Sequence, residues 1–370
     1  MGTVASLNEA KNVAGKGAVL VTGGAGFIGS NFVLNWLSLR LGTIVNLDKL
    51  TYAGSLDNLA GVADDPHHIF VAGDIGDVEL VGKLLTDHRP SAIINFAAES
   101  HVDRSIHGAT DFISTNIVGT YRLLETTRTY LQTLSAPERD AFRFLHVSTD
   151  EVFGSLEKDE PPFTESNRYL PNSPYSASKA ASDHLVRAWH HTYRIPIVLT
   201  NCSNNYGPFQ FPEKLIPLMV HHALSDLPLP IYGDGRQRRD WLYVSDHCAA
   251  IRLVLNRGRV GETYNIGGKS ERANLDVVQA LCDILDKEKP RPDGRSYRQQ
   301  IAFVGDRLGH DWRYAMDATK IERDLGWTPV ETFETGLRKT VRWYLDNTKW
   351  VDRMVNGSYR DWVQKNYSSR

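Results

Sequence analysis

One stretch of the chain sets the order of its elements: Ala18-Val19-Leu20-Val21-Thr22-Gly23-Gly24-Ala25-Gly26-Phe27-Ile28-Gly29. Its first half is apolar and β-branched, which predicts a buried strand, and its second half has the GxxGxxG spacing that opens a helix. Glycines let the backbone turn sharply and approach a pyrophosphate, and the helix N-terminus offers unpaired N–H groups and the positive end of the helix dipole. The stretch therefore predicts dinucleotide binding by Gly23, Gly26, Phe27, Ile28 and Gly29.

Further apolar runs follow this strand at intervals that leave room for helices. The predicted strands cover residues 43–47, 69–71, 92–96, 142–147 and 196–200, and apolar residues at helical spacing predict a helix over 31–41. Nearly continuous apolar strands separated by helices indicate a parallel sheet that is covered on both faces. We therefore predict an α/β fold, with a Rossmann-like, doubly wound parallel sheet and a smaller C-terminal substrate-binding lobe.

An acidic residue stands where a dinucleotide site needs one. Asp48 lies nineteen residues beyond Gly29, at the end of the second predicted strand. A carboxylate there accepts hydrogen bonds from a ribose 2′-hydroxyl and repels a 2′-phosphate, which favours NAD over NADP. The ends of later strands supply further walls of the site, with Asp74 and Ile75 toward the adenine and Ala97 and Ala98 toward the nicotinamide ribose.

The pattern changes near residue 204, where proline and glycine become frequent and loops should dominate. We expect an NAD-binding domain over residues 17–203, completed by a returning segment near 241–266, and a mainly substrate-binding lobe over 204–346. An amphipathic pattern predicts a helix over 335–347. Residues 1–16 are expected to form a flexible tail, and residues 347–370 a C-terminal tail.

Composition narrows the classes of protein that fit. The net charge of -2 argues against nucleic-acid binding, which usually needs a basic excess, and no apolar run approaches the ~18 residues of a membrane span. Three widely spaced cysteines fit a reducing cytoplasm rather than a disulfide framework. Because no CxxC or HExxH pattern occurs, we expect no metal site.

A tyrosine and a lysine form the first candidate catalytic pair. Tyr175 and Lys179 are four residues apart, so on a helix they share one face. A tyrosine with a pKa near ~10 is a poor base at neutral pH, but a neighbouring ammonium favours the phenolate and lowers that pKa. We expect Lys179 to have this effect and to hold the nicotinamide ribose. Tyr175 would then remove a proton from a sugar hydroxyl while hydride leaves the same carbon.

Two adjacent acids follow the strand predicted over 142–147. Thr149, Asp150 and Glu151 lie where that strand ends, at the edge of the sheet where α/β proteins bind ligands. Thr149 can hydrogen-bond the hydroxyl that Tyr175 deprotonates. Neighbouring carboxyls in a closed site resist ionising together, so one can donate a proton while the other acts as base. A simple dehydrogenase needs only one proton-transfer group beside its cofactor, so two acids in addition to Tyr175 indicate a reaction that also makes or breaks a C–O bond. The alternative is that the two acids belong to an acidic turn that caps a helix.

Several longer segments resemble one enzyme family. They are Asp48-Lys49-Leu50-Thr51-Tyr52-Ala53-Gly54, residues 97–106, Ser148-Thr149-Asp150-Glu151-Val152, residues 201–208, residues 211–217 and Arg239-Asp240-Trp241. With the glycine-rich turn and the tyrosine–lysine pair, they resemble the extended short-chain dehydrogenase/reductases, and among these the dTDP-glucose 4,6-dehydratases of bacterial deoxysugar synthesis. The resemblance runs from residue 19 to residue 344.

The resemblance implies NAD-dependent dehydration of dTDP-glucose to dTDP-4-keto-6-deoxyglucose. Tyr175 would take the proton of the 4-hydroxyl as C4 passes hydride to NAD+. Glu151 would then remove the C5 proton as general base, and Asp150 would protonate the departing 6-hydroxyl. Hydride would return to C6, so that the cofactor is restored in each turnover and water must be excluded from the site.

The resemblance also implies which further residues contact the ligands. On the cofactor side it adds Lys49, Leu50, Thr51, Thr115 and Asn205 to the residues named above. On the substrate side it gives Ser100, Thr149, Asn204, Lys214, Leu215, Pro230, Ile231, Tyr232, Arg239, Asn274, Arg307 and His310. Arg239 and Arg307 suit a sugar diphosphate, because guanidinium pairs well with phosphate oxygens.

The chain departs from the family pattern at three places: Leu308 replaces a usual proline, Phe153 replaces a usual tyrosine, and Lys269-Ser270-Glu271 replaces a usual Gly-x-Asn-Glu. None of these removes a candidate catalytic group.

Two other kinds of protein also fit the fold. One is a nucleotide-sugar 4-epimerase or decarboxylase, which needs Tyr175 and Lys179 but not both acids, and the other is a non-catalytic dinucleotide-binding protein. The resemblance further implies a homodimer that pairs helices over 115–129 and 177–191.

Overall fold

A computed structural model of the chain describes residues 17–355 together with Tyr359 and Asn366. Its strands are β1 (Val19–Thr22), β2 (Ile44–Asp48), β3 (His68–Ala72), β4 (Ala92–Asn95), β5 (Arg143–Thr149), β6 (Ile197–Cys202), β7 (Asn204–Tyr206), β8 (Leu229–Tyr232), β9 (Arg238–Tyr243), β10 (Thr263–Ile266), β11 (Glu271–Ala273) and β12 (Ile301–Val304). Seven of them form one parallel sheet in the order β3-β2-β1-β4-β5-β6-β10. The doubly wound parallel sheet predicted from the sequence is confirmed.

Helices cover both faces of this sheet and build most of the smaller lobe. They are α1 (Phe27–Ser38), α2 (Val78–His88), α3 (Val102–His107), α4 (Thr110–Phe112), α5 (Thr120–Gln132), α6 (Ala136–Ala141), α7 (Pro174–Tyr193), α8 (Leu215–Leu224), α9 (Val244–Arg257), α10 (Asn274–Glu288), α11 (Thr319–Leu325), α12 (Phe333–Asp346) and α13 (Thr348–Met354). A π-helical segment, Ile113–Gly119, joins α4 to α5, and short 3₁₀ segments cover Leu56–Val62, Asp150–Phe153 and Tyr297–Gln300. None of the helices in the described part of the chain has the length and apolar character needed to cross a membrane.

Alternation along the strands builds one apolar core on each face of the sheet. Val19 and Val21 of β1 pack with Phe32 of α1 on one face, whereas Leu20 packs with Leu123 of α5 on the other. Because β2 and β4 flank β1 on opposite sides, the direction of winding reverses at β1. A crevice therefore opens beyond the carboxyl ends of these strands, where doubly wound proteins bind ligands.

The smaller lobe has its own sheets and its own core. Strands β7, β9 and β11 form a three-stranded sheet in the order β11-β9-β7, and β8 pairs with β12. Apolar side chains of α8, α10 and α12 pack beneath them, as Met219, Leu281 and Leu337 show. Within the segment expected to return to the main sheet, β10 pairs with β6, but β9 stays in the lobe.

Two elements differ in extent from the sequence expectation, and one expectation falls outside the described residues. Helix α1 begins at Phe27, directly after the glycine-rich turn that was predicted to open a helix, and four residues before the apolar pattern over 31–41. The apolar pattern starts late because Gly29 and Ser30, although buried on the helix, do not contribute to it. Residues 348–354 of the expected C-terminal tail form α13, whose Trp350 is buried with Trp343 and Tyr344. The expected tail over residues 1–16 lies outside the described residues.

Candidate active site

A cavity of about 290 Å³ lies at the carboxyl ends of the main-sheet strands. Most of the residues predicted to bind cofactor or carry out catalysis line it: Gly23, Gly26, Phe27, Ile28, Gly29, Asp48, Lys49, Thr51, Asp74, Ile75, Ala97, Ala98, Thr115, Thr149, Asp150, Glu151, Tyr175, Lys179 and Asn205. Of the predicted substrate residues, Ser100, Asn204 and Lys214 also line it. Residues that are spread over positions 23 to 214 of the sequence thus meet at one edge of the sheet.

The glycine-rich turn is packed too tightly for side chains. Gly23 has φ 70°, and a Cβ there would lie 2.7 Å from the backbone nitrogen of Ala97. A Cβ on Gly29 would overlap the Gly23 carbonyl oxygen and lie 2.8 Å from the Cα of Gly24. The turn therefore brings bare backbone to the N-terminus of α1, which is the arrangement that accommodates a pyrophosphate.

Asp48 holds two loops at the cofactor end of the cavity. Its Oδ2 accepts a hydrogen bond from the backbone nitrogen of Ala25 at 2.8 Å, and its Oδ1 accepts one from Leu50 at 2.8 Å. Burial raises the pKa of this carboxyl, and the backbone donors oppose the rise. Each oxygen keeps a second lone pair that can accept from a ribose hydroxyl. Lys49 pairs with Asp74 at 2.9 Å beside it.

The paired acids lie directly after β5. Thr149 ends the strand, donates a hydrogen bond to Oδ1 of Asp150 at 3.2 Å and accepts one from the backbone nitrogen of Glu151 at 3.3 Å. Asp150 is almost completely buried, and its Oδ2 has no hydrogen-bond partner among the described residues. A buried carboxyl oxygen without a hydrogen-bond partner is costly to ionise, which favours the protonated form of Asp150.

The two acids have different electrostatic surroundings. Burial, together with the negative charge of Glu151, raises the pKa of Asp150 well above its usual value. Burial also raises the pKa of Glu151, but Arg307, Lys214 and Arg239 oppose the rise. Asp150 is therefore the acid that retains its proton more readily, and Glu151 is the better candidate for a base.

Tyr175 and Lys179 lie one turn apart on α7 and are both buried. Contrary to the sequence expectation, the pKa of Tyr175 is raised well above its usual value, because burial and the charge of Glu151 disfavour the phenolate. Hydrogen bonding with Thr149 opposes this rise. The Lys179 ammonium donates to the carbonyl oxygen of Val147 at 2.9 Å, and burial lowers its pKa. In the protein alone, Lys179 therefore does not offset the cost of burying a Tyr175 phenolate.

Arg239 and Arg307 of the smaller lobe act electrostatically on Glu151 without lining the cavity, and His310 does not line it either. Arg239 lies on β9, donates to the carbonyl oxygens of Asp311 at 2.9 Å and Arg238 at 2.7 Å, and stacks on the ring of Tyr314. His310 contacts Asp306 at 2.6 Å, and burial lowers the pKa of its imidazole to about 3. The backbone nitrogen of Arg307 donates to the same carboxyl at 2.8 Å.

Lys214 crosses between the lobes. It lies directly before α8, and its ammonium donates to the carbonyl oxygen of Ser100 at 2.9 Å. The other predicted residues of the lobe do not line the cavity. Leu215 begins α8, Asn274 begins α10, and Pro230, Ile231 and Tyr232 belong to β8. Leu50, predicted on the cofactor side, is likewise absent from the lining of the cavity.

Sequence reasoning missed several residues of the cavity wall, namely Phe96, Glu99, Cys202, Ser203, Gln210 and Glu213. Glu213 is the most informative, since its buried carboxylate accepts from Arg104 at 2.9 Å and so joins the two lobes beside Lys214. Its position directly before Lys214, in the segment over 211–217 singled out in the sequence, was the available signal. Phe96 and Glu99 flank the predicted pair Ala97 and Ala98 and follow the same strand.

Comparison with known proteins identifies the relatives of this chain. The family model described as GDP-mannose 4,6 dehydratase matches residues 20–340. A dTDP-glucose 4,6-dehydratase of Xanthomonas campestris pv. campestris (strain B100) is 62% identical over 341 residues, which are 92% of this chain and 97% of the relative. The dTDP-glucose 4,6-dehydratase 1 of Escherichia coli (strain K12) is 55% identical over 360 residues, which are 95% and 99% of the two chains.

Solved structures with the same fold include members of more than one enzyme class. The dTDP-glucose 4,6-dehydratase of Bacillus anthracis str. Ames, solved in complex with NAD, has a TM-score of 0.80 at 46% identity and covers 91% of this chain and 99% of its own. A UDP-glucose 4-epimerase of Thermus thermophilus, also in complex with NAD, has a TM-score of 0.77 at 28% identity, with coverage of 89% and 99%. The fold is thus shared, and the identity is higher to the dehydratase.

Proposed function

Because the chain belongs to the family described as GDP-mannose 4,6 dehydratase, and its similar relatives are dTDP-glucose 4,6-dehydratases, we propose that it dehydrates dTDP-glucose to dTDP-4-keto-6-deoxyglucose. It is an NAD-dependent lyase of deoxysugar nucleotide biosynthesis. The observation that carries this proposal is the adjacent pair of buried Asp150 and half-buried Glu151 in one cavity with Tyr175 and Lys179. An epimerase needs only the latter two.

The residues of the cavity fit NAD. The bare turn from Gly23 to Gly29 would hold the pyrophosphate at the start of α1, and Asp48 would accept from the adenosine ribose. Bound NAD would supply the hydride acceptor for C4 of the sugar and the hydride donor for C6. Lys179, which lines the same cavity, would hold the nicotinamide ribose, and the positive charge of the nicotinamide ring would favour the Tyr175 phenolate that burial disfavours.

Proton transfer begins at Tyr175 and ends at the two acids. Tyr175 takes the proton of the 4-hydroxyl, which Thr149 orients by hydrogen bonding. The resulting 4-ketone makes the C5 proton acidic, and Glu151 removes it as general base. Asp150, which keeps its proton because burial and Glu151 raise its pKa, donates that proton to the departing 6-hydroxyl. Water leaves, and a proton returns to C5.

Basic residues would bind the diphosphate of the substrate. Lys214, Arg239 and Arg307 oppose the rise in the pKa of Glu151, which indicates positive charge near the acids. We assign the diphosphate to Arg239 and Arg307, although the N–H groups of Arg239 already bond backbone carbonyls, so that its contribution is mainly charge. The remaining contacts proposed for the nucleotide sugar are Ser100, Asn204, Leu215, Pro230, Ile231, Tyr232, Asn274 and His310.

We propose that the two lobes have the binding roles that the sequence predicts. Residues 17–203, with the return near 241–266, hold the cofactor, and residues 204–346 mainly hold the substrate.

The protein works in the cytoplasm, in keeping with the three free, buried thiols of Cys202, Cys248 and Cys282. It pairs as a homodimer through α5, α7 and the π-helical segment, where Val118, Tyr121 and Tyr193 are exposed. Sedimentation as a clean monomer would contradict this pairing.

Mass spectrometry of dTDP-glucose incubated with the purified protein, without added reductant, tests the proposed activity. Loss of one water molecule per sugar, with no net NADH, is the expected result. Unchanged mass with an isomerised sugar would instead establish an epimerase. If dTDP-glucose is unchanged, the same assay with UDP- and GDP-sugars distinguishes another nucleotide specificity from a non-catalytic protein.

A further inference from the structure

The catalytic face of α7 continues beyond Lys179. Tyr175, Lys179, Asp183 and Arg187 follow one another at four-residue spacing, so they form a stripe along the helix. The stripe runs from the cavity into the protein, where Asp183 is completely buried. A carboxylate at this depth is costly unless several donors and an opposite charge compensate it.

Donors from three other segments surround the Asp183 carboxylate. Its Oδ2 accepts from the Ser148 hydroxyl at 2.8 Å, the Tyr169 hydroxyl at 3.0 Å and the Asn201 amide at 3.4 Å. Its Oδ1 lies 3.4 Å from Nε2 of His146. Burial opposes ionisation, but His146, Lys179 and Ser148 outweigh it and keep the pKa of Asp183 below its usual value. Asp183 is therefore a buried negative charge.

Hydrogen bonding fixes the orientation and tautomer of the imidazole between the two charged groups. The Thr22 hydroxyl donates to Oδ1 of Asn95 at 2.6 Å, so the Asn95 amide nitrogen faces Nδ1 of His146, at 3.1 Å. Nδ1 then accepts, and the proton of the neutral ring is on Nε2. Burial lowers the pKa of His146 to about 4, so the ring is neutral at physiological pH. Nε2 lies 3.3 Å from Oγ of Ser182, 3.4 Å from Oδ1 of Asp183 and 3.4 Å from Nζ of Lys179.

We propose that Asp183 is a positioning residue for the reaction, which His146 helps to keep ionised and which keeps Lys179 charged and aimed into the cavity. This inference rests on the proposed function, because it assigns the support behind its tyrosine–lysine pair. Asp183 supplies the negative charge that offsets burial of the ammonium, and the fixed imidazole ring lies between them. Lys179 then keeps its bond to the Val147 carbonyl oxygen and its charge near Tyr175.

The other titratable groups around Lys179 do not supply this charge. Burial raises the pKa of the Cys202 thiol on β6 and the pKa of Tyr175, and both groups are neutral. Arg187, beyond Asp183, donates to the Tyr169 hydroxyl at 2.9 Å and adds positive rather than negative charge. Asp183 is the ionised acid that raises the pKa of Lys179, whereas burial lowers it. Without Asp183 the lysine would lose its proton more easily and would favour the Tyr175 phenolate less.

Asp183→Asn tests this role, since it removes the charge and keeps the shape. The protein loaded with NAD is mixed rapidly with dTDP-glucose, and the rate of NADH formation is followed by absorbance across pH. This rate rises with pH as Tyr175 loses its proton. In Asp183→Asn the rise should move to higher pH by about one unit or more. Structural damage alone would lower the rate by the same factor at every pH, so an unshifted profile in folded protein would overturn the proposal.

Two further variants make the outcome specific. Tyr169→Phe removes one donor to Asp183 but keeps its charge, so its pH profile should match that of the unmodified protein. His146→Gln removes an imidazole that helps to keep Asp183 ionised, so its profile should shift in the same direction, and it replaces Asp183→Asn if that variant does not fold. An unmodified protein that forms no product from dTDP-glucose would refute the proposed function itself. An active one whose His146→Gln and Asp183→Asn profiles do not shift would refute only the inference.

Discussion

At the scale of single residues, the adjacent acids have unequal roles, and Glu151→Gln separates the steps. An amide cannot accept the C5 proton, so water loss should slow by at least ~100-fold, while oxidation at C4 still forms NADH. Removing the charge of Glu151 also removes one cause of the high pKa of Tyr175, so NADH formation should not weaken. Absorbance of NADH and mass spectrometry of the sugar measure the two steps. Glu157→Gln, at an exposed position, is the matched control, and full turnover by Glu151→Gln would remove the base assignment.

Asp150 predicts the pH dependence of the second step. Its pKa is raised by burial and by the charge of Glu151, so the acid form persists above the usual range for an aspartate and is lost as pH rises through that raised pKa. Water loss should therefore decline on the alkaline side. In Asp150→Asn it should be ~100-fold slower and should no longer show this decline. Quenched time courses of the dehydrated sugar at several pH values measure both effects; an unchanged alkaline decline in the variant would assign it to another group.

At the scale of elements, the turn between β1 and α1 has no room for side chains. Gly29→Ala would press a methyl group against the Gly23 carbonyl oxygen and the Gly24 Cα, so the turn must open. Overpacking of this kind costs about 1–3 kcal/mol, and NAD affinity should fall by about tenfold or more. Calorimetric titration of cofactor-free protein with NAD measures this. Gly82→Ala on α2, where the nearest atom is 3.8 Å away, should leave affinity unchanged.

The elements that the sequence predicted well are those whose signal is local. Apolar runs such as those of β1 and β5 are buried on both faces, and each strand end delivers its next residues to one edge, so Asp48, Asp74 and Thr149 were predicted together. Local patterns do not show how distant segments pack. Such packing determines the short strands of the smaller lobe and the helix α13. It also determines that Tyr232 does not line the cavity. The pKa of Tyr175 is raised rather than lowered, and local patterns could not show this either. Burial and the charge of Glu151, which both depend on how distant segments pack, outweigh any effect of Lys179.

At the scale of the whole molecule, helix α13 is connected to the cofactor turn. The indole nitrogen of Trp350 on α13 donates to Oδ1 of Asn58 at 2.8 Å, and the amide of Asn58 donates to the Ala25 carbonyl oxygen at 2.8 Å. Asn58 is buried between them. Packing at the far end of the chain thus supports the turn that approaches the pyrophosphate.

Trp350→Ala should therefore weaken both stability and cofactor binding. Removing a buried indole that packs against Trp343 and Tyr344 costs about 3–5 kcal/mol and releases Asn58 from one partner. Thermal unfolding should show a lower Tm, and titration with NAD should show lower affinity. Trp350→Phe retains an aromatic ring but lacks the N–H donor, so it should lower affinity more than stability. Lys349→Ala, at the exposed neighbouring position, is the control. A Trp350→Ala protein with reduced Tm but unchanged NAD affinity would show that α13 stabilises the smaller lobe without supporting the cofactor turn.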